Sequence, residues 1–157
     1  MRVLGIDPGF DRLGLAIVEG DPSNPVVVWS DCVLPPKGAP AARLAAVYAA
    51  ITQTLTEYSP NSICVETLFF STNKKTALAV AEARGAILAA AGSLNVHVQE
   101  YSPAQVKLAV TGHGGADKAA IARMIPHLVT LDARKRLDDE LDAIAVGIAG
   151  LADRSQH

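Results

Sequence analysis

A chain of 157 residues predicts one compact domain over residues 1–157, long enough to enclose a real core. Half of the residues are hydrophobic but only 4% are aromatic, and 14 Lys and Arg against 16 Asp and Glu leave a formal charge of −2. These numbers exclude a basic arm or an acidic tail, and Cys32 and Cys64 have neither metal nor redox spacing nor the makings of a disulfide framework. The start of the chain enters a strand pattern without a signal-peptide arrangement, and the longest apolar stretch, residues 76–94, is broken by Glu82 and Arg84. A soluble cytoplasmic protein with no membrane partner and a core of Ala, Val, Leu and Ile is expected.

In chain order, residues 3–6 form a short apolar run closed by Asp7-Pro8-Gly9, which predicts a buried strand ending in a turn. Residues 13–18 and 26–33 predict two further strands, separated by a loop from Gly20 to Pro25. Three strands so close in sequence predict an antiparallel meander. The Pro-rich stretch 35–40 breaks the pattern, after which Leu44, Val47, Tyr48, Ile51 and Leu55 repeat at helical spacing. Residues 62–66 read as a strand, 73–91 as a long helix of small residues and 96–98 as a strand. Ser102-Pro103 opens another helix, because Ser caps well and Pro suits the first helical position. A loop at 112–115 precedes a helix over 117–128. The chain closes with a helix over 137–151 whose apolar stripe is Leu141, Ile144, Ala145, Ile148 and Leu151. Three strands, then helix, strand, helix, strand and three helices predict an α/β fold with helices on the faces of one mixed five-stranded sheet.

Four acids stand out by placement. Asp7 ends the first strand and Glu66 the fourth, while Asp139 and Asp142 lie three apart and share a helix face. In such a sheet the first strand is central with the fourth beside it, so Asp7 and Glu66 emerge at adjacent strand ends, within reach of the last helix. Four converging carboxylates repel and shift one another's pKa values unless divalent cations bind among them. An all-oxygen donor set favours Mg²⁺ or Mn²⁺, and two such ions about 3.5–4 Å apart make a phosphodiester-cleaving site. Each acid singly also has a structural reading: carboxylates accept backbone hydrogen bonds in turns, and Asp138, Asp139 and Glu140 complement a helix dipole.

With the four acids neutralised the charge balance becomes positive. The cations cluster at Lys74-Lys75, at Lys107, at Lys118 with Arg123, and at Arg134-Lys135-Arg136, the last read as a solvated face. Lys107 and Lys118 flank Gly112-His113-Gly114-Gly115, a loop whose N–H groups suit phosphates. Phe69 and Phe70 follow Glu66, and one of the two is available to stack on an unpaired base. His113 is more readily a loop residue than a ligand or base.

Five segments occur together in order: Gly5-Ile6-Asp7-Pro8-Gly9; Val65-Glu66 followed by Phe69 and Asn73; Ala83-Arg84-Gly85; Tyr101-Ser102-Pro103-Ala104-Gln105-Val106-Lys107; and Thr111-Gly112-His113-Gly114-Gly115-Ala116-Asp117-Lys118. Over almost its whole length the chain resembles the RuvC family of crossover junction endodeoxyribonucleases. The resemblance implies an RNase H-like fold, a homodimer, and Mg²⁺-dependent paired nicking of a four-way Holliday junction in recombination and repair. It implies two Mg²⁺ per subunit, replaceable by Mn²⁺, and work alongside the RuvA and RuvB branch-migration complex. Asp7, Glu66, Asp139 and Asp142 fall on the family's catalytic, metal-holding acids. Phe69 falls on its base-contacting aromatic, and Lys107 and Lys118 on functional basic positions. Asn73 and Lys74 join these as candidate DNA contacts. The family often separates its last two acids by small residues, whereas Glu140 and Leu141 stand between them here. Asp138, Asp139 and Glu140 therefore compete for one position, and Asp139 is preferred for its spacing from Asp142.

Three other readings stand beside this one. A sugar-kinase or actin-like ATPase shares the acidic first turn but requires two related domains. A junction-binding module without catalysis does not need the acids. An RNase H-like nuclease acting on another nucleic acid is distinguished by the phenylalanine loop and the segment from Lys107 to Lys118.

Overall fold

The computed structural model describes residues 1–9, 11–67 and 74–153. Strands β1 (Arg2–Pro8), β2 (Leu13–Asp21) and β3 (Asn24–Val33) are followed by α1 (Pro40–Tyr58), β4 (Ser62–Glu66) and α2 (Lys74–Ser93). β5 (His97–Tyr101), α3 (Pro103–Thr111), α4 (Lys118–Leu128) and α5 (Asp138–Ala152) complete the chain. The sheet order is β3-β2-β1-β4-β5, antiparallel across β3, β2 and β1 and parallel across β1, β4 and β5. The predicted meander, the central first strand and its pairing with the fourth are all present, in an RNase H-like arrangement.

Alternation along the strands divides the core in two. Leu4, Ile6, Leu13, Leu15, Ile17, Ile63 and Val65 face one side with Val47 and Ile51 of α1 and Ile87 of α2. Val3, Ala16, Val18 and Cys64 face the other, with Ile144 and Ile148 of α5 and side chains from α3 and α4. Asp7 follows Val3 and Gly5 in this alternation, and Glu66 follows Cys64. Both acids thereby share the face that α5 covers. The parallel register of Gly5 with Cys64 and Ile6 with Val65 brings them to the same end of the sheet.

α5 is buried without interruption from Ala143 to Leu151, wider than the predicted stripe, because it lies between the sheet and α3 and α4. Its approach to the sheet is close enough that a Cβ on Gly5 would strike the Ala143 carbonyl and one on Gly14 the Asp139 carbonyl. The loop expected from Gly20 to Pro25 is shorter than predicted. Pairing continues to Asp21 opposite Asn24, leaving Pro22-Ser23 as the turn. The Asp21 carboxylate accepts from the Ser23 N–H at 2.9 Å and its hydroxyl at 2.6 Å, a local turn that outweighs the strand-breaking composition. Pro25 is tolerated because β3 is an edge strand. On α1, Tyr48 leaves the predicted apolar stripe for the surface, and Arg43 and Thr54 are buried instead. α3 has the predicted cap: the Ser102 hydroxyl accepts from the Gln105 N–H and the Gln105 side chain from the Ser102 N–H.

Candidate active site

Asp7 at the end of β1, Glu66 at the end of β4 and Asp139 and Asp142 on the first turns of α5 lie on one side of the sheet, as the sequence predicts. Their mutual influence is strongest at Asp7. Burial first, then the carboxylates of Asp142, Glu66 and Asp139, push its pKa up to about 7. Glu66 is raised by burial and by Asp142, against the opposing pull of Lys107 and Lys118. Asp142 is raised by burial, with Lys118 opposing.

Cations stand among these acids. The Lys118 ammonium lies 2.7 Å from an Asp142 carboxylate oxygen, and the hydrogen bond raises the lysine's pKa. Lys118 is the first residue of α4, whose N-terminus Asp117 caps by accepting from the Ala120 N–H at 2.7 Å. Lys107, on α3, joins Glu66, Lys118 and Asp142 around a cleft of about 160 Å³. Arg12, which the sequence reading passed over, donates to Asp139 at 3.4 Å from the β1–β2 connection. Only its place beside the acidic turn could have signalled it.

The donor chemistry fits hard divalent cations: all four candidate ligands offer carboxylate oxygens, and burial together with three neighbouring carboxylates disfavours the charged form of Asp7, which a bound cation would offset. Among the described residues, no three His, Cys, Asp or Glu side chains converge closely enough to hold an ion as they stand. Lys118 and Arg12 are the charges that meet Asp142 and Asp139 in this arrangement.

The structure also orders the three rivals at the start of α5. Asp139 is half-buried toward Arg12, Asp138 is exposed, and Glu140 points into the protein at 3% exposure. The expectation of a solvated face over 134–136 holds for Lys135 and for the exposed Arg134, whose guanidinium nevertheless reaches Glu140, and is corrected at Arg136. Both arginines pair with Glu140, and the Arg136 side chain is 8% exposed, because a buried carboxylate must meet compensating cations. A groove of about 430 Å³ beside edge strand β3 borders these arginines, apart from the four acids. His113 closes its own loop, its Nδ1 accepting from the Gly115 N–H at 2.9 Å. Lys74 is exposed at the start of α2. Phe69 and Asn73 lie outside the described residues.

The family model described as crossover junction endodeoxyribonuclease RuvC matches residues 3–150. A protein of that description from Moorella thermoacetica is 43% identical over 149 residues, spanning 94% of this chain and 89% of that one. The structure of Thermus thermophilus RuvC in complex with Holliday junction substrate is similar at a TM-score of 0.88 and 32% identity, covering 95% of this chain and 92% of that one. The yeast mitochondrial Holliday junction resolvase Ydc2 shares the fold at a TM-score of 0.69 and 12% identity, covering 96% of this chain and 78% of that one. With the acids placed as described and a match of this extent, the chain belongs to the RuvC family of crossover junction endodeoxyribonucleases.

Proposed function

We propose that this chain resolves four-way DNA junctions in recombination and repair by paired, symmetric nicks, with Asp7, Glu66, Asp139 and Asp142 holding two Mg²⁺ ions that Mn²⁺ can replace. The observation that carries this reading is Asp7, whose pKa is driven to about 7 by burial and three neighbouring carboxylates, two of which, Glu66 and Asp142, border a cleft lined by Lys107 and Lys118. When bound, two metal ions supply an activated water and charge stabilisation at the leaving oxygen. The chain's own residues do the remainder. Asp7 and Glu66 are fixed on adjacent strand ends, while α5 brings Asp139 and Asp142 to them. Lys107 and Lys118 draw in the phosphate backbone. Phe69, Asn73 and Lys74 follow Glu66 in sequence and are assigned to the bases and backbone at the crossover.

A junction offers two equivalent strands, which suits a two-fold homodimer with one site in each subunit. α2 supports this assembly: Leu78, Ala81, Gly85, Ala89 and Gly92 are exposed at helical spacing and permit close approach. The family also supports cooperation with RuvA and RuvB. Among the described residues no helix is long and apolar enough to cross a membrane, in keeping with a cytoplasmic site of action. The decisive experiment incubates the purified protein and Mg²⁺ with a four-way junction, a linear duplex and an RNA–DNA hybrid. Paired nicks in the junction alone are expected. Equal cutting of the hybrid or duplex would overturn junction resolution in favour of a general RNase H-like nuclease.

A further inference from the structure

We propose that Glu140 is a positioning residue: its buried ion cluster fixes the first turn of α5 against β3 and so sets where Asp139 and Asp142 stand. This rests on the assignment of those two acids as metal ligands. Glu140 is 3% exposed. One of its carboxylate oxygens accepts from the Ser30 hydroxyl at 2.6 Å and from Arg134, and forms an ion pair with Arg136 Nε at 3.3 Å, the Nε–H itself donating to the Ser30 hydroxyl at 3.4 Å. The other accepts from Arg134 Nη1 at 3.2 Å. Arg134 also donates to the Ser30 carbonyl at 2.7 Å, and Arg136 to the Asp132 carbonyl at 3.2 Å. One carboxylate thus ties together the middle of β3, the segment leading into α5 and the helix itself.

Three features make this cluster a device for position. First, a buried ion pair gains little net stability over an apolar pair of the same shape, so its distinctive contribution is register. Second, α5 begins without a side-chain cap, Leu137 standing at the N-cap position. Its first turn needs another anchor, and Glu140 supplies one. Third, at 3.6 residues per turn Asp139 and Asp142 point about 60° apart, whereas Glu140 points about 160° away from Asp142. The anchor and the candidate ligands leave the helix on different sides. A change at Glu140 therefore acts on the metal site only through the helix. The sheet side is limited by the contact between Gly14 and the Asp139 carbonyl. Release of the Glu140 cluster leaves the helix start free to rotate about that contact.

The test compares the wild type with Glu140→Gln, Ser30→Ala and Asp142→Asn, measuring Mg²⁺ affinity by calorimetry, melting temperature without metal, and the Mg²⁺ concentration for half-maximal junction nicking. Glu140→Gln keeps the shape and removes the charge. It is expected to weaken Mg²⁺ binding about tenfold, typical of groups that orient metal ligands, and to raise the half-maximal Mg²⁺ concentration by the same factor. Ser30→Ala keeps the ion pairs and is expected to weaken binding about two- to threefold; it serves if Glu140→Gln does not fold. A variant that melts lower but binds Mg²⁺ as the wild type does would make the cluster purely structural and overturn the proposal. Failure of the underlying assignment looks different: no saturable Mg²⁺ binding by the wild type, or unchanged binding by Asp142→Asn, overturns both.

Discussion

Lys118 Nζ stands 2.7 Å from Asp142 Oδ2, an ammonium paired with an acid assigned to metal binding. The lysine's charge also acts on Asp7 and Glu66, so it partly neutralises the cluster. A metal ion arriving at Asp142 competes with that ammonium. Lys118→Met should therefore lower the melting temperature of the metal-free protein while enlarging the rise produced by Mg²⁺. Junction binding should weaken and the slope of log affinity against log salt should fall by about one. Thermal melts with and without Mg²⁺, beside binding curves across salt, check both effects. An unchanged Mg²⁺ response would separate Lys118 from the metal position.

Asp7 makes the stability of the metal-free protein depend on pH. Its folded pKa is raised from 3.8 to about 7, so the folded state holds this proton more tightly than the unfolded chain. The resulting stabilisation is fully present below about pH 4 and is lost as pH rises through 7. Glu66 and Asp142 are raised in the same direction. Melting temperature without metal should fall across that window, and Mg²⁺ should restore it at pH 8. Asp7→Asn removes the largest contribution and should raise the metal-free melting temperature at pH 8 by about 5–10 °C, corresponding to about 2–4 kcal/mol. Junction cleavage should be abolished, with junction binding retained. A melting curve for Asp7→Asn that moved with pH as much as the wild type's would remove Asp7 as the source.

Much of this site is legible in the sequence because local patterns carry it. The run ending in Asp7 and the run ending in Glu66 read as strands, and three-residue spacing alone aligns Asp139 with Asp142. Other features arise from distant partners. Glu140 is buried where Ser30, 110 positions earlier, lands beside it, and there Arg136 turns inward and the exposed Arg134 reaches over to pair with it. Nothing in the composition of residues 134–136 distinguishes that from a solvated basic face. Arg12 is likewise an unremarked loop residue until folding brings Asp139, 127 positions away, within 3.4 Å.

Gly14 fixes how near α5 can come to the sheet. A Cβ there would meet the Asp139 carbonyl oxygen and carbon, both backbone atoms with little room to yield. Gly14→Ala should therefore displace the start of α5 and destabilise the fold by about 1–3 kcal/mol, the usual range for overfilling a close contact. Misplacement of reacting groups by about 1 Å can cost about 100-fold in rate. Cleavage by this variant, measured well below its melting temperature, should fall on that scale while junction binding changes little. A fully active, merely less stable variant would show that Asp139 tolerates displacement.

The competition between Asp138 and Asp139 has a direct test. The carboxylates that raise Asp7 are Asp142, Glu66 and Asp139, whereas Asp138 acts on Lys118 and Asp142 from an exposed position. Asp138 borders the groove between α4 and α5 with Lys118 and Leu141. Asp139→Asn should therefore abolish nicking, and junction binding should persist or tighten, because one negative charge facing the phosphates is lost. Asp138→Asn should nick at close to the wild-type rate, since Asp138 acts from an exposed position on Lys118 and Asp142 and is not among the carboxylates that raise Asp7. The double measurement, nicking at saturating Mg²⁺ and junction affinity without metal, separates the roles. An active Asp139→Asn beside an inactive Asp138→Asn would reassign the ligand by one residue, and α5 would have to rotate by about 100° at its start to present it.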